Sequence, residues 1–197
     1  MIKYIITGGA GFIGSHLVEA LVKKKNKVVV LDNLSTGRFE NIKKFIRNIK
    51  FINCDISKKG KWIKEFKGNC YVFHLAALAD IVPSIQNPKK YFQSNVVGTL
   101  NVLEACKNAN IIKLVYSASS SCYGISKKYP TKETTKIDPI YPYALTKKIG
   151  EDLILHWSNV YKIPFVSLRL FNVYGTRSRT SGTYGAMFGV FLAQKLS

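Results

Sequence analysis

The chain has 197 residues, 47% of them hydrophobic, with 30 Lys and Arg against 11 Asp and Glu and a formal charge of +19. That length fits one α/β domain, or one and a fraction, and supplies a core. The absence of any run of 18 apolar residues excludes a transmembrane helix, and the opening residues meet glycines too soon for a signal peptide, so the expectation is a cytoplasmic protein with no membrane contact. The excess charge could attract nucleic acid, but lysine supplies it at helix ends and polar faces; arginine, which reads phosphates and bases in bidentate fashion, occurs five times. No nucleic-acid partner is expected.

In chain order, β-rich runs at 2–7, 27–32, 50–54, 70–75, 111–117 and 165–170 alternate with amphipathic stretches at 13–25, 39–47, 62–66, 91–108 and 143–161. Strands alternating with helices predict a doubly wound α/β fold with a parallel sheet (a Rossmann fold) and right-handed crossovers. The strand runs are nearly continuous in Val, Ile, Phe and Tyr, as expected where both sheet faces are covered.

Between the first strand and first helix stand Gly8, Gly11 and Gly14, in Thr7-Gly8-Gly9-Ala10-Gly11-Phe12-Ile13-Gly14. Here the chain must turn sharply, let a pyrophosphate approach the backbone, and pack helix on sheet. The helix start then offers free N–H groups and a positive dipole end to the phosphates. Asp32 ends the second strand, 18 residues after Gly14. A carboxylate there accepts hydrogen bonds from ribose hydroxyls and repels a 2′-phosphate, which favours NAD over NADP. Asp55, just past the third strand, has two readings: contact with the adenine amine together with the Ile56 backbone, or a helix N-cap. Leu75-Ala76-Ala77 closes the fourth strand with small residues beside the cofactor.

The four cysteines and three histidines show no metal-ligand spacing, so no metal is expected. Past the fifth strand, Ser117-Ala118-Ser119-Ser120-Ser121-Cys122-Tyr123-Gly124 offers hydroxyls that either cap backbone groups or bridge a substrate hydroxyl. Tyr143 and Lys147 follow at i, i+4, on one helical face, with Pro142 at a first-turn position. A phenol with a pKa near 10 is a poor base at pH 7; an adjacent ammonium and a cationic nicotinamide would both lower it. The pair implies redox chemistry at a carbon bearing a hydroxyl. At the end of the chain, 186–197 reads as a helix just begun, with no closing signal, as in the front part of a longer protein.

The segments TGGAGFIGSHLVEAL (7–21), LDNLSTG (31–37), HLAA (74–77), SNVVGTLNVLEAC (94–106), LVYSASSSCYG (114–124), YPYALTKKIGED (141–152) and RLFNVYG (169–175) together resemble the extended short-chain dehydrogenase/reductases, specifically the NAD-dependent nucleotide-sugar epimerases and dehydratases. The resemblance implies that Ser119, four before Tyr123 of the Tyr-Gly pair, is the catalytic serine, Tyr143 the base and Lys147 its partner. It implies cofactor contacts at Phe12 and Ile13 beside the three glycines, at Asn33, Ser35, Thr36 and Gly37 after Asp32, and at Ser117. Asn95 would hold the loop near the nicotinamide, and Tyr143 and Lys147 would also touch the cofactor. Substrate would meet Ser119, Ser120, Ser121, Tyr143 and Asn172, the last at the sugar-nucleotide phosphates. Relatives pair helices like 91–108 and 143–161 into a homodimeric four-helix bundle.

Similar dehydratases carry an acid two or three residues before that Tyr-Gly tyrosine. Ser121 and Ser120 stand there, which favours a 4-epimerase acting on a UDP-hexose or UDP-N-acetylhexosamine, as in polysaccharide biosynthesis. The alternatives are a 4,6-dehydratase or reductase on the same scaffold and, from another class, a non-catalytic NAD-binding protein. The expected division is an NAD-binding domain at 1–175 and the start of an incomplete substrate-binding region at 176–197.

Overall fold

The computed structural model of the chain describes residues 2–109, 111–126, 128–178, 191 and 194–196. Six parallel strands form one sheet: β1 (Lys3–Thr7), β2 (Lys27–Asp32), β3 (Ile49–Asn53), β4 (Cys70–His74), β5 (Ile111–Ser119) and β6 (Phe165–Leu170), in the order β3-β2-β1-β4-β5-β6. This is the expected doubly wound architecture. The strand order reverses between β1 and β4, and the crevice at their carboxyl ends is where such sheets bind ligands. The apolar β2 run shows why the sheet is covered twice: its last five residues, on both faces, are buried.

Two cores result. On one face α1 (Phe12–Lys23) and the short α2 (Glu40–Lys43) pack Val18, Leu21 and Ile42 onto Ile6, Val28 and Val30. On the other, α5 (Gly98–Lys107), α6 (Pro142–Tyr161) and a 3₁₀ segment, Lys61–Phe66, pack Val102, Leu103, Ile154, Trp62 and Phe66 onto Ile5, Val29, Val72, Leu114 and Tyr116.

Several elements differ from expectation. Stretch 39–47 is not one helix but α2 followed by a 3₁₀ turn, Ile46–Asn48. A helix absent from the sequence reading, α3 (Ile81–Gln86), follows β4; it is too short for an amphipathic period to show. The run expected at 91–108 begins earlier, with α4 (Pro88–Phe92): Pro88 occupies the first turn and the Asn87 side chain accepts from Lys90 N at 3.2 Å. A π-helical turn, Gln93–Val97, then joins it to α5 and includes the buried Asn95. β5 runs two residues further than expected because Ala118 and Ser119 still pair with Arg169 and Leu170. The expected helix at 186–197 lies mostly outside the described residues.

Candidate active site

The glycine loop crosses the crevice where β1 meets β4. Gly8 donates its N–H to Leu31 O at 2.8 Å and has φ +72°, and a Cβ there would lie 2.7 Å from Ala76 N. The loops after β1 and β4 therefore touch through bare backbone, with Leu75 and Ala77 flanking the contact. A Cβ on Gly14 would overlap Gly8 O and sit 2.8 Å from Gly9 Cα. Gly11 differs: only Gly8 O lies near its missing Cβ, at 3.2 Å. Gly11 is also the N-cap of α1, with no side-chain cap and no acid in the first turn, so the amides opening the helix at Phe12 and Ile13 lack the usual side-chain acceptor. An uncapped helix start behind a bare backbone fits a pyrophosphate.

Asp32 is 7% exposed at the end of β2. One carboxylate oxygen accepts from Ala10 N at 2.9 Å and the other from Leu34 N at 2.8 Å. Burial pushes its pKa up, and the two N–H groups oppose that. Asp32 thus binds the glycine loop to the turn after β2, with lone pairs left for ribose hydroxyls. Exposed Asn33, Ser35 and Thr36 follow, and Gly37 packs on Asp32 and Ala10, where a Cβ would lie 3.0 Å from each. Asp55 is not a helix N-cap: its carboxylate accepts from Ser57 N at 2.9 Å inside a turn, and the next helical segment starts at Lys61. Asp55 borders an open hollow of about 250 Å³, shared with Cys54, Lys58 and Trp62. Beside it Asn101 Nδ2 donates to Ile56 O at 2.9 Å.

The catalytic candidates converge at the ends of β5 and α6. Ser119 is the last residue of β5, and its hydroxyl donates to Ser121 Oγ at 2.9 Å while accepting from Ser121 N at 3.2 Å. Ser119 also lies close enough to the Tyr143 phenol to lower its pKa. Ser117 lies two residues back on β5, half-buried, and Ser120 opens the 3₁₀ turn after it. Lys147 is 3% exposed and burial lowers its pKa to about 8. Burial raises that of Tyr143, with Ser119 opposing. The expectation that Lys147 lowers the phenol's pKa is therefore not met in this arrangement. The ammonium is seated 4.5 Å from the centroid of the Tyr116 ring, and burial dominates at the phenol.

A buried line of hydrogen bonds joins the two halves. Ala76 N donates to Thr7 Oγ1 at 3.2 Å, which lies 2.7 Å from His74 Nδ1; His74 Nε2 lies 2.9 Å from Thr99 Oγ1, which donates to Asn95 O at 2.6 Å. Because the Thr99 proton goes to Asn95, His74 must donate from Nε2 and accept at Nδ1. Burial and the charge of Lys147 push His74 down to about 3, so it is neutral. The Asn95 side chain accepts from Leu78 N at 2.8 Å and donates to Leu78 O and Thr146 Oγ1, both at 3.0 Å. Thr146 donates to Tyr143 O at 2.8 Å. The expectation that Asn95 holds the loop after β4 is thus given a geometry.

Sequence reasoning missed three contributors. Buried Ser84 on α3 accepts from Tyr143 N at 3.1 Å, fixing the first turn of α6 across 59 residues. Thr146 looked like a spacer within Tyr143…Lys147. Asp80, at the start of α3, is close enough for its charge to raise the Tyr143 pKa. None carries a local sequence signal, because each matters through a tertiary contact. Asn172 is exposed just past β6, beside Phe171, whose ring stacks on Tyr123 at 6.4 Å. No described helix is long and apolar enough to cross a membrane, and no cluster of metal-binding side chains occurs among the described residues.

The family described as NAD dependent epimerase/dehydratase matches residues 4–196. A putative UDP-glucose 4-epimerase of Methanocaldococcus jannaschii is 38% identical over 194 residues, 98% of this chain and 62% of that protein. Among solved structures, a UDP-N-acetylglucosamine 4-epimerase from Methanobrevibacter ruminantium, in complex with UDP-N-acetylmuramic acid, is 39% identical with a TM-score of 0.94 over 98% of this chain and 62% of that one. A Thermus thermophilus UDP-glucose 4-epimerase in complex with NAD is 35% identical, with a TM-score of 0.86 over 97% of this chain and 60% of that one. The chain thus spans about three fifths of the length of these relatives.

Proposed function

The chain belongs to the NAD dependent epimerase/dehydratase family, and on that premise we propose that it inverts C4 of a nucleotide sugar, a UDP-hexose or UDP-N-acetylhexosamine, through a transient 4-keto sugar. The observation that carries this reading is the convergence of Ser119, Tyr143 and Lys147 beside an uncapped helix start at the switch point of the sheet. NAD is the cofactor, and the residues that would hold it are the α1 N-terminus at the pyrophosphate, Asp32 at the adenosine ribose, and Asp55 with Ile56 at the adenine. Bound NAD supplies a reversible hydride acceptor. The Ser119 hydroxyl orients the C4 hydroxyl, Tyr143 takes its proton as C4 gives up hydride, and Lys147 stabilises the phenolate and binds the nicotinamide ribose. Once the keto sugar has turned, Tyr143 would give the proton back to the C4 oxygen as the bound cofactor reduced that carbon from its other face.

Burial holds Tyr143 as a neutral phenol in the cofactor-free arrangement. The positive charge of the bound nicotinamide, added to that of Lys147, is then what favours the phenolate. In this reading Asn172 meets the sugar-nucleotide phosphates from the segment after β6. The chain pairs with a second copy through α4, α5 and α6, where Phe92, Leu145 and Leu155 are exposed.

One observation favours a second reading. Ser120 and Ser121 supply no acid, but Asp80 places a negative charge near Tyr143 from another element. A carboxylate there could serve the proton transfers of a 4,6-dehydratase. Proton NMR of the chain with NAD and a panel of UDP- and dTDP-hexoses separates the two. A C4-inverted product at constant NAD supports the epimerase. A 4-keto-6-deoxy product overturns it in favour of the dehydratase, and absence of both in a chain that binds NAD supports a non-catalytic role.

A further inference from the structure

Lys147 poses an electrostatic problem. Its ammonium is buried, yet no ion pair joins it to any carboxylate among the described residues. The nearest acid along α6, Glu151, directs its carboxylate elsewhere, accepting from Arg169 Nε at 3.0 Å and Ser167 Oγ at 2.7 Å. Beneath the ammonium lies the face of Tyr116, 4.5 Å away and itself 1% exposed, on β5. The ring is fixed at both ends. His74 packs beside it at 5.6 Å, and its hydroxyl reaches Lys147 O at 3.4 Å. A Cβ on Gly150 would overlap that hydroxyl and lie 3.2 Å from Cζ. A glycine inside a helix is less stable there than alanine and calls for a packing reason; the Tyr116 hydroxyl is that reason.

We propose that Tyr116 is the positioning residue for Lys147, an aromatic floor that holds and orients the ammonium where a carboxylate would otherwise be needed, with Gly150 as the notch that admits it. The choice has a chemical consequence. A carboxylate would cancel the ammonium's field; an aromatic face attracts the cation through its quadrupole and adds no net charge. The positive field thus stays available to a Tyr143 phenolate and to ribose hydroxyls. Within electrostatic reach of the ammonium besides Tyr116 are neutral His74 from β4, Cys122 from the turn after β5, and Glu151 from α6, whose carboxylate is held by Ser167 and Arg169. Burial lowers the Lys147 pKa, while Cys122 and Glu151 raise it.

The inference rests on Lys147 being the partner of Tyr143, but its test requires no turnover. Lysines carrying ¹³C at Cε are titrated by NMR in the cofactor-free chain, with the Lys147 signal identified by its loss in Lys147→Met. It is expected to titrate near about 8 and to do so unchanged in Tyr116→Phe, which keeps the ring. In Tyr116→Leu the midpoint should fall by up to about one pKa unit. A Tyr116→Leu midpoint equal to that of wild type, or above it, overturns the proposal, as does an equal fall in Tyr116→Phe. Should Tyr116→Leu not fold, the wild-type spectrum still decides. The Lys147 Hε protons should lie upfield of those of the other lysines through the ring current, and a common position overturns the proposal. Failure here leaves the epimerase reading intact, whereas a missing epimerised product leaves this titration intact.

Discussion

On the β1–α1 side of the crevice the working parts are backbone groups and missing side chains; on the β5–α6 side they are buried side chains, one of them a lysine. The glycine loop presents N–H donors at a helix start and lets two loops touch at Gly8 and Ala76. Its geometry depends on atoms being absent. The proposed catalytic side depends on Tyr143 and Lys147 being held by Ser84, Thr146, Asn95 and Tyr116, and on Ser119 being held by Ser121. The first design suits an anion without needing charged side chains; the second keeps a charge in the core at a cost in stability. A change in the glycine loop should therefore damage cofactor binding, whereas loss of the Tyr143 hydroxyl should damage chemistry with binding preserved.

The largest separation is expected from Tyr143→Phe. It should bind NAD as wild type does and lose about two to four decades in the rate of C4 inversion, measured by proton NMR. Retained turnover would contradict the assignment.

Next comes the cost of the buried charge. The Lys147 pKa falls from 10.5 in the unfolded chain to about 8 in the folded one. Between those values the unfolded chain binds the extra proton, so this group makes stability rise with pH. Its penalty is fully present below pH 8 and gone above 10.5, and amounts to about 3 kcal/mol. Lys147→Met should accordingly be more stable than wild type at pH 7 in urea unfolding, with the gap closing from pH 8 to 10.5. Comparing the two chains cancels the thiols, whose raised values act in the opposite direction, as at Cys54, pushed up to about 11. A gap that does not change with pH would refute the buried charge.

Two glycine changes should follow, each costing about 1–3 kcal/mol by overpacking. Gly14→Ala pushes on Gly8 O and should lower NAD affinity in a fluorescence titration. Gly150→Ala pushes on the Tyr116 hydroxyl and should be relieved by Tyr116→Phe. Additive losses in that pair would deny the notch.

The smallest effect lies at the rim. Arg177, Lys23 and Lys44 hold the Glu19 carboxyl at about 2, below its usual 4.5, and Glu19 ties the chain after β6 to α1. A lowered carboxylate stabilises above pH 4.5 and loses that contribution as pH falls toward 2. Amide shifts at Thr176–Ser178 should move as pH falls through about 2 in wild type and stay fixed in Glu19→Gln.

The same contrast explains what could be read from the sequence. The glycine loop and Asp32 were legible because each task excludes nearly every other residue type, and the exclusion is local. Tyr143 and Lys147 were legible through helical spacing, and β2 and β6 through their apolar runs, which match the structure end to end. Their supports were not. Ser84 sits 59 residues from the amide it accepts from, and Tyr116 reads as one more core aromatic in a strand. Gly150 did carry a signal, a lone glycine in a helical stretch, but its meaning required the ring opposite. Asp55 was legible as a capping residue, though of a turn and not of a helix, since a local hydrogen bond does not tell how the chain continues.

The central claim is that hydride leaves C4 and returns to the same carbon from the other face. It is tested most directly with UDP-hexose or UDP-N-acetylhexosamine carrying deuterium at C4, incubated with the chain and NAD and followed by NMR. The account predicts a C4-inverted sugar that retains the deuterium, with no deuterium in the water and no net NADH. Inversion with loss of the label, or a 4-keto-6-deoxy product, would contradict it.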